Sequence, residues 1–318
     1  MKQAWLACLL GIVTASAYGA ETHDEAFTWL QRMATAAHQL NYTGSFVYQH
    51  GQQVETSRIT HLTDAAGEHE KLITLDGSPR QIFRSNDEVY CFLADDKTVM
   101  VDKNHVNTSF PALLPQQIAD LKEYYDVRLD GRERVAGRDC QVIYLAPKDQ
   151  FRYGHRLWSD IQTGLLLKTS TWSDQKDIID QFAFTDIKIG GLIDRNEVRP
   201  ALNGKRVIRS TGEGKSQPLP IDPGWEVGAA PPGFKNVMAM KRVLPGAHMP
   251  VNQIVFSDGL AAASVFIEPA SDKTTLGLSH QGAIHVYTRK VADYQIKVLG
   301  EVPAATVMQI GDAVSFRK

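Results

Sequence analysis

Residues 41–62 read NYTGSFVYQHGQQVETSRITHL. Tyr42 to His50 and Val54 to Leu62 are rich in β-branched and aromatic residues, and Gly51-Gln52 between them is short enough for a hairpin. The texture continues outward through Lys71 to Leu75, Gln81 to Arg84 and Val89 to Leu93. The breaks fall at Asp64 to Gly67, Asp76-Gly77, Asn86-Asp87 and Asp95-Asp96, residue types that tolerate the positive φ of tight turns. The pattern predicts an antiparallel meander. Upstream, Thr22 to Leu40 carries Ala26, Phe27, Leu30, Met33, Ala34 and Ala37 at spacings of three and four, which predicts an amphipathic helix with that stripe against the sheet.

Downstream, Pro115 followed by Gln-Gln-Ile-Ala-Asp-Leu121 predicts a short helix. Strand signals then resume at Tyr124 to Leu129, Cys140 to Leu145, Tyr153 to Trp158, Leu165 to Trp172 and Ile178 to Ile187. Without strand–helix alternation these segments predict a large curved antiparallel sheet with a few packed helices, in the α+β class, rather than a parallel fold. Arg206 to Asp222 is poor in large apolar residues and is read as a linker. Beyond it, Gln253 to Phe256, Ala262 to Glu268, Ala283 to Arg289 and Tyr294 to Val298 predict strands, and Pro303 to Val314 a helix. The expected organisation is 21–205 as a large N-terminal domain, 206–222 as linker and 223–318 as a smaller α+β domain.

Residues 1–20 read as a secretory signal: Lys2, an apolar run from Trp5 to Val13, and the small residues Ala15-Ser16-Ala17. The expected destination is extracytoplasmic, with cleavage after Ala17 or Ala20. Cys8 falls inside the apolar run, with no small-residue lipobox before it, so lipid attachment is not expected. The 318 residues carry a formal net charge of −2, which argues against nucleic acid as a general partner. Cleavage leaves Cys91 and Cys140, and an oxidising compartment permits a disulfide between them, with two separate buried thiols as the alternative.

A search for chemistry finds no catalytic constellation. Ser279-His280 lies in Gly-Leu-Ser-His-Gln-Gly282 and lacks the spacing of a nucleophile elbow. His69-Glu70 lacks a second histidine at metalloprotease spacing, His280 and His285 do not share a helical face, and Gly212 and Gly214 follow no strand. No catalytic role, metal site or cofactor is therefore expected. Two features suit binding. Phe151, Arg152, Tyr153, Arg156 and Trp158 mix large apolar groups with cations, and strand alternation puts Tyr153, His155 and Leu157 on one face. Tyr48, Phe182 and Phe184, with Phe46, are either core or the lining of an apolar groove inside an unclosed half-barrel. These residues are the candidate lipid- or partner-binding set, against the reading that they are core and solvated surface.

The quoted segments resemble the RseB/MucB family of sigma-E regulatory proteins: Asn41 to Tyr48, Leu75 to Arg80, Tyr124 to Leu129 with Val135 to Arg138, and Arg152-Tyr-Gly followed by Thr163-Gly-Leu. So do Pro231-Pro-Gly-Phe234, Ser257-Asp-Gly-Leu260, Ser264 to Glu268 and Val298-Leu-Gly-Glu-Val-Pro303, in order along nearly the whole chain. The resemblance implies a LolA/LolB-like half-barrel joined to a smaller domain, in a periplasmic negative regulator of the envelope-stress response. It implies as partner the periplasmic region of a membrane-spanning anti-sigma factor of the RseA/MucA type, shielded from a DegS-like protease. It also implies release on sensing lipopolysaccharide or another amphipathic lipid; independently of the resemblance, Arg152 and Arg156 are the cations placed to face phosphates if they line the rim of the open sheet. A homo-oligomer is compatible with it. The alternative is a periplasmic lipid or lipoprotein carrier, which has no evident need of Trp225 to Lys318.

Overall fold

The computed structural model describes residues 17–92, 97–103, 110–115, 118–209, 224–243, 250–271 and 274–316. The signal segment as far as residue 16 lies outside them. Helix α1 (Ala17–Gln39) is followed by β1 (Tyr42–His50), β2 (Gln53–Asp64), β3 (Gly67–Thr74), β4 (Gln81–Ser85), β5 (Glu88–Phe92) and β6 (Thr98–Lys103). A 3-10 turn (Ile118–Asp120) and α2 (Leu121–Tyr124) lead into β7 (Tyr125–Val135), β8 (Arg138–Pro147), β9 (Gly154–Asp160), β10 (Leu166–Trp172), β11 (Ile178–Ile189) and β12 (Arg206–Arg209). These twelve strands form one sheet in the order β12-β6-β5-β4-β3-β2-β1-β11-β10-β9-β8-β7, with β12 and β7 as its edge strands. Hairpins account for nearly all of it. The two crossings are β1 against β11, and β12, which runs parallel to β6.

The stripe on α1 is buried as its spacing requires: Ala26, Phe27, Leu30, Met33 and Ala37 share one core with Tyr42, Val127, Leu145, Leu157 and Leu165 to Leu167. An amphipathic helix laid on the inner face of a sheet that cannot close is what fills the half-barrel. Its C-terminal end is tied down by a polar knot. His38 Nδ1 lies 3.1 Å from Glu68 Oε2, His61 Nε2 lies 3.0 Å from Glu68 Oε1, and His61 Nδ1 donates to the Leu40 carbonyl at 2.8 Å while its ring stacks on Tyr42.

The second unit comprises β13 (Trp225–Val227), β14 (Lys235–Val243), β15 (Pro250–Ser257), β16 (Ala262–Pro269), β17 (Gly277–Gln281), β18 (Ile284–Val291), β19 (Tyr294–Gly300), α3 (Ala304–Ala313) and β20 (Val314–Phe316). Six strands in the order β14-β15-β16-β19-β18-β17 pack on α3, around Val265, Ile267, Ile296, Val298, Val307 and Ile310. Strands β13 and β20 pair separately, and Trp225 meets Phe316 edge-on at 5.0 Å.

Two expectations are corrected. The stretch expected to be linker from Arg206 begins instead as β12, whose backbone bonds to the exposed side of β6; residues 210–223 lie outside the described residues. Cys91 and Cys140 are free thiols, not a disulfide. They sit on β5 and β8, third and eleventh in the strand order, so eight spacings of about 4.8 Å separate them along the sheet, against the roughly 4.4–6.8 Å that a disulfide allows.

A chain starting after residue 20 therefore takes up two thiol labels when denatured without reductant. In the native protein Cys140 reacts last, because burial pushes its thiol up to about 11; mass spectrometry after timed iodoacetamide treatment reads both outcomes. A second expectation concerns acid. Burial by itself would raise the Glu68 carboxyl, but hydrogen bonds from His38 and His61 outweigh it and bring the carboxyl down to about 2. A depressed carboxylate stabilises the fold above its unfolded value near 4.5 and loses that contribution as pH falls toward 2. Thermal unfolding of Glu68→Gln should thus fall off less steeply between pH 4.5 and 2 than that of the native chain.

Candidate functional site

A buried cation lies at the centre of the contact between the two units. Arg152, 2% exposed, lies in the turn before β9, where Asp149 Oδ1 accepts from its Nε at 3.1 Å and from the Phe151 amide at 2.9 Å. Its Nη1 donates to Asp258 Oδ2 at 3.1 Å, and its Nη2 donates to the Pro232 carbonyl, both groups belonging to the second unit. The rings of Tyr124, Phe234 and Tyr125 surround the guanidinium carbon at 4.6, 5.3 and 5.7 Å. Tyr125 also donates its hydroxyl to Asp258 Oδ2 at 3.3 Å, and burial, reinforced by that carboxylate, raises its phenol well above the usual range and keeps the proton in place. Gly233 is required here. Its φ is +83°, and a Cβ would meet the Tyr124 ring at 2.6 Å. Phe151 packs into the second core and its carbonyl accepts from Thr306, while Leu260 packs against the first.

Beside this clamp the inner face of the large sheet stays partly open. Strand register sets two cross-strand rows there. One runs Leu157, Thr169, Phe182, Tyr48; the next runs His155, Thr171, Asp180, His50. The second unit forms the facing wall with Leu260 to Ala262, Ser264, Ile284 and Leu299 to Glu301. Between the walls lies a cleft of about 470 Å³, within the range of small-ligand sites. Its inner end is stopped by Leu113 and Leu114 and by Phe110, whose ring stacks on Phe182 at 5.4 Å. At the far rim the Ala283 amide donates to His50 Nε2 at 3.4 Å, and Tyr153 Oη lies 3.5 Å from His285 Nδ1.

The cleft's ionisable groups are mutually coupled. Burial raises Glu301, and the Asp180 charge adds to this while His50 opposes it. Burial lowers His155 against the charges of Asp180 and Asp258, so its ring is neutral. Burial pushes Tyr153 up to about 12, helped by Asp174 and Glu301.

Of the eight residues singled out from the sequence, the fold brings Tyr48, Tyr153 and Phe182 together at the cleft; Tyr48 stacks on Phe182 at 4.3 Å. Phe184 belongs to the core with Phe46 and Phe110. Phe151 and Arg152 form the seam between the units, so Arg152 cannot face a lipid phosphate from there. Arg156 and Trp158 point away from the cleft, because β9 alternates. Arg156 pairs with Asp130 at 3.1 Å between the rings of Tyr144 and Trp172, and Trp158 is buried with its indole donating to Glu133 at 2.8 Å. His155, Asp180, Asp258 and Glu301 were not singled out. Asp258 and Glu301 lie inside quoted motifs, whereas Asp180 carries no local signal, since only the pairing of β11 with β10 places it.

The geometry is that of a two-part binding protein, with a ligand-sized cleft between sheet-built walls and one clamp holding them. Comparison with known proteins gives the family. The MucB/RseB N-terminal domain matches residues 25–202 and the MucB/RseB C-terminal domain matches residues 220–315, so the chain belongs to the MucB/RseB family. It is 30% identical over 330 residues to the sigma factor AlgU regulatory protein MucB of Pseudomonas aeruginosa, covering 100% of this chain and 98% of the relative. It is 28% identical over 321 residues to the sigma-E factor regulatory protein RseB of Salmonella typhimurium, covering 100% and 99%. The solved complex of Pseudomonas aeruginosa MucA and MucB superimposes with a TM-score of 0.73 at 27% identity, over 92% of this chain and 99% of that one.

Removing the Arg152 side chain leaves Asp258 buried and uncompensated. Arg152→Ala should cost about 3–5 kcal/mol, the usual penalty for breaking a buried ion pair from one side, read as a lowered urea midpoint. Arg156→Ala, at a half-exposed pair, should move it by about 1 kcal/mol or less.

Proposed function

We propose that this chain is a periplasmic negative regulator of a sigma-E-type envelope-stress response, acting by binding rather than by catalysis. It holds the periplasmic region of a membrane-spanning anti-sigma factor of the RseA/MucA type and shields it from a DegS-like protease. Residues 21–209, with β12 counted in the first sheet, and 224–318 act as two modules. The observation that carries this reading is the clamped cleft, in a chain whose full length follows a relative solved with MucA. A protein shielded from proteolysis has to be covered along its length, and two walls fixed at one seam offer an extended surface that a single half-barrel does not. Lipopolysaccharide or another amphipathic lipid acts as the releasing signal, its acyl chain competing for the apolar floor around Leu157, Phe182 and Leu299.

The test is a complex between the mature chain and the periplasmic segment of an anti-sigma factor from the same organism. The chain should slow cleavage of that segment by a DegS-like protease. Titrated lipopolysaccharide should then release it, with a coupling on the order of 5–150-fold in affinity. A segment cleaved at the same rate with and without the chain would falsify the shielding role, and unchanged affinity at saturating lipid would remove the switch alone.

A further inference from the structure

Among the described residues that line the cleft there are two carboxylates, Asp180 and Glu301, and no lysine or arginine. Asp180 is 8% exposed, and among the described residues its carboxylate makes no hydrogen bond and no ion pair. A carboxylate in a site this enclosed is normally paired or bonded to several donors. Glu301 approaches from the opposite wall, likewise without a partner among the described residues. The third polar group is His155. Its Nδ1 lies 3.3 Å from Thr171 Oγ1, and its Nε2 is buried without a partner; with Nδ1 donating, Nε2 presents a lone pair. The described lining of the cleft therefore gathers two carboxylates and an open imidazole nitrogen with hydroxyls but no cation, beside the apolar side chains of Leu157, Phe182 and Leu299.

We propose that the cleft is a binding site for a cationic group carried on an apolar stem, and that its occupant is a lysine or arginine flanked by apolar residues in the anti-sigma segment. The proposal rests on the partner reading given above and adds the chemistry of the contact. An ammonium or guanidinium supplies the donors that Asp180, Glu301 and His155 lack, and its methylenes cover the floor. Glu301 is solvent-accessible at the mouth of the cleft, and partial burial together with the Asp180 charge nearby raises its carboxyl, so a cation bound between them is favoured by both. The other ionisable groups facing the site are His50 beside Asp180, Tyr48 and Tyr153 on the large sheet, and Asp174 and Asp258 behind it; Asp174 adds to the negative potential, whereas Asp258 is offset by its ion pair with Arg152. A phosphate would meet the same charges and be repelled, so a lipid that enters does so through its acyl chain.

Two probes of equal chain length separate the possibilities: decylammonium and decanoate, each below its micellar concentration, titrated calorimetrically into the mature full-length chain. The native chain should bind decylammonium about tenfold more tightly, the scale of one charge-assisted hydrogen bond. Asp180→Asn with Glu301→Gln should erase that preference while melting at or above the native temperature, because it removes a repulsion. The anti-sigma segment should bind the double variant about tenfold more weakly, with a shallower dependence on salt. Equal binding of the two probes to the native chain overturns the proposal, as does a segment that binds the double variant with native affinity. A native chain that selects decylammonium but does not bind the segment overturns the partner reading and leaves the cation site standing.

Discussion

The arrangement of this protein depends on a guanidinium held between two sheets. Arg152 is donated by the turn before β9, and its ligands are Asp149 from the same turn and Asp258 and the Pro232 carbonyl from the second unit. In so dry a place a charge survives only when its hydrogen bonds are met and opposite charge lies close. That requirement is directional: an arginine fork placed against two carboxylates and a carbonyl admits little rotation, whereas apolar contact alone would let the sheets slide. The three surrounding rings exclude water and hold the fork flat. Orientation between the units is therefore constrained most tightly at this seam, with the contacts of Ala283 to His50 and Tyr153 to His285 closing the far rim.

A clamp at one end leaves the far end free to be a cleft, and the filling of the half-barrel decides how large. Helix α1 takes up the inner face over β7 to β10, and Phe110 to Leu114 plug the space in front of Phe46, Phe182 and Phe184. What remains open is the end of β9 to β11 and β1, where the two cross-strand rows bring Phe182 and Asp180 to the cleft wall beside one another. The clamp and the cleft have opposite electrostatics. At the clamp a cation is paired with its acids; the described lining of the cleft carries two acids and no lysine or arginine. That difference separates the part of the interface that builds the molecule from the part that recognises something else.

The strands and turns were largely legible. Tyr42 to His50 occupies the predicted residues, and β2 to β5 and β7 to β11 shift only at their ends, because half-buried hairpins impose period-two alternation and turns demand Gly, Asn or Asp. The missed strands β6, β12, β14 and β17 share a cause: all four lie at or next to the margins of their sheets, where backbone bonding on one side is enough and side-chain pattern is weakly constrained, while the short β13 and β20, also missed, pair with each other. The site was legible in fragments. Arg152-Tyr-Gly, Pro231 to Phe234 and Ser257 to Leu260 were recognisable as motifs, yet nothing local shows that they converge on one guanidinium. Arg156 was read as the equal of Arg152, but Arg152 lies on the turn before β9 and Arg156 on the outward face of β9.

By itself the sequence determined the class of fold, the helix stripe, the division into a larger and a smaller sheet-built unit, and the family. These are properties of periodicity, turn chemistry and the order of motifs, and each is written in neighbouring residues. Tertiary structure alone decided that Cys91 and Cys140 stand eight strands apart, that Arg152 is a buried clamp and not a phosphate ligand, and that Asp180 and Glu301, separated by 121 positions in the chain (301 minus 180), face each other across one cleft. The reason is physical. Long-range register depends on which strands pair and on where a buried charge finds its partners, and no local stretch of sequence carries either.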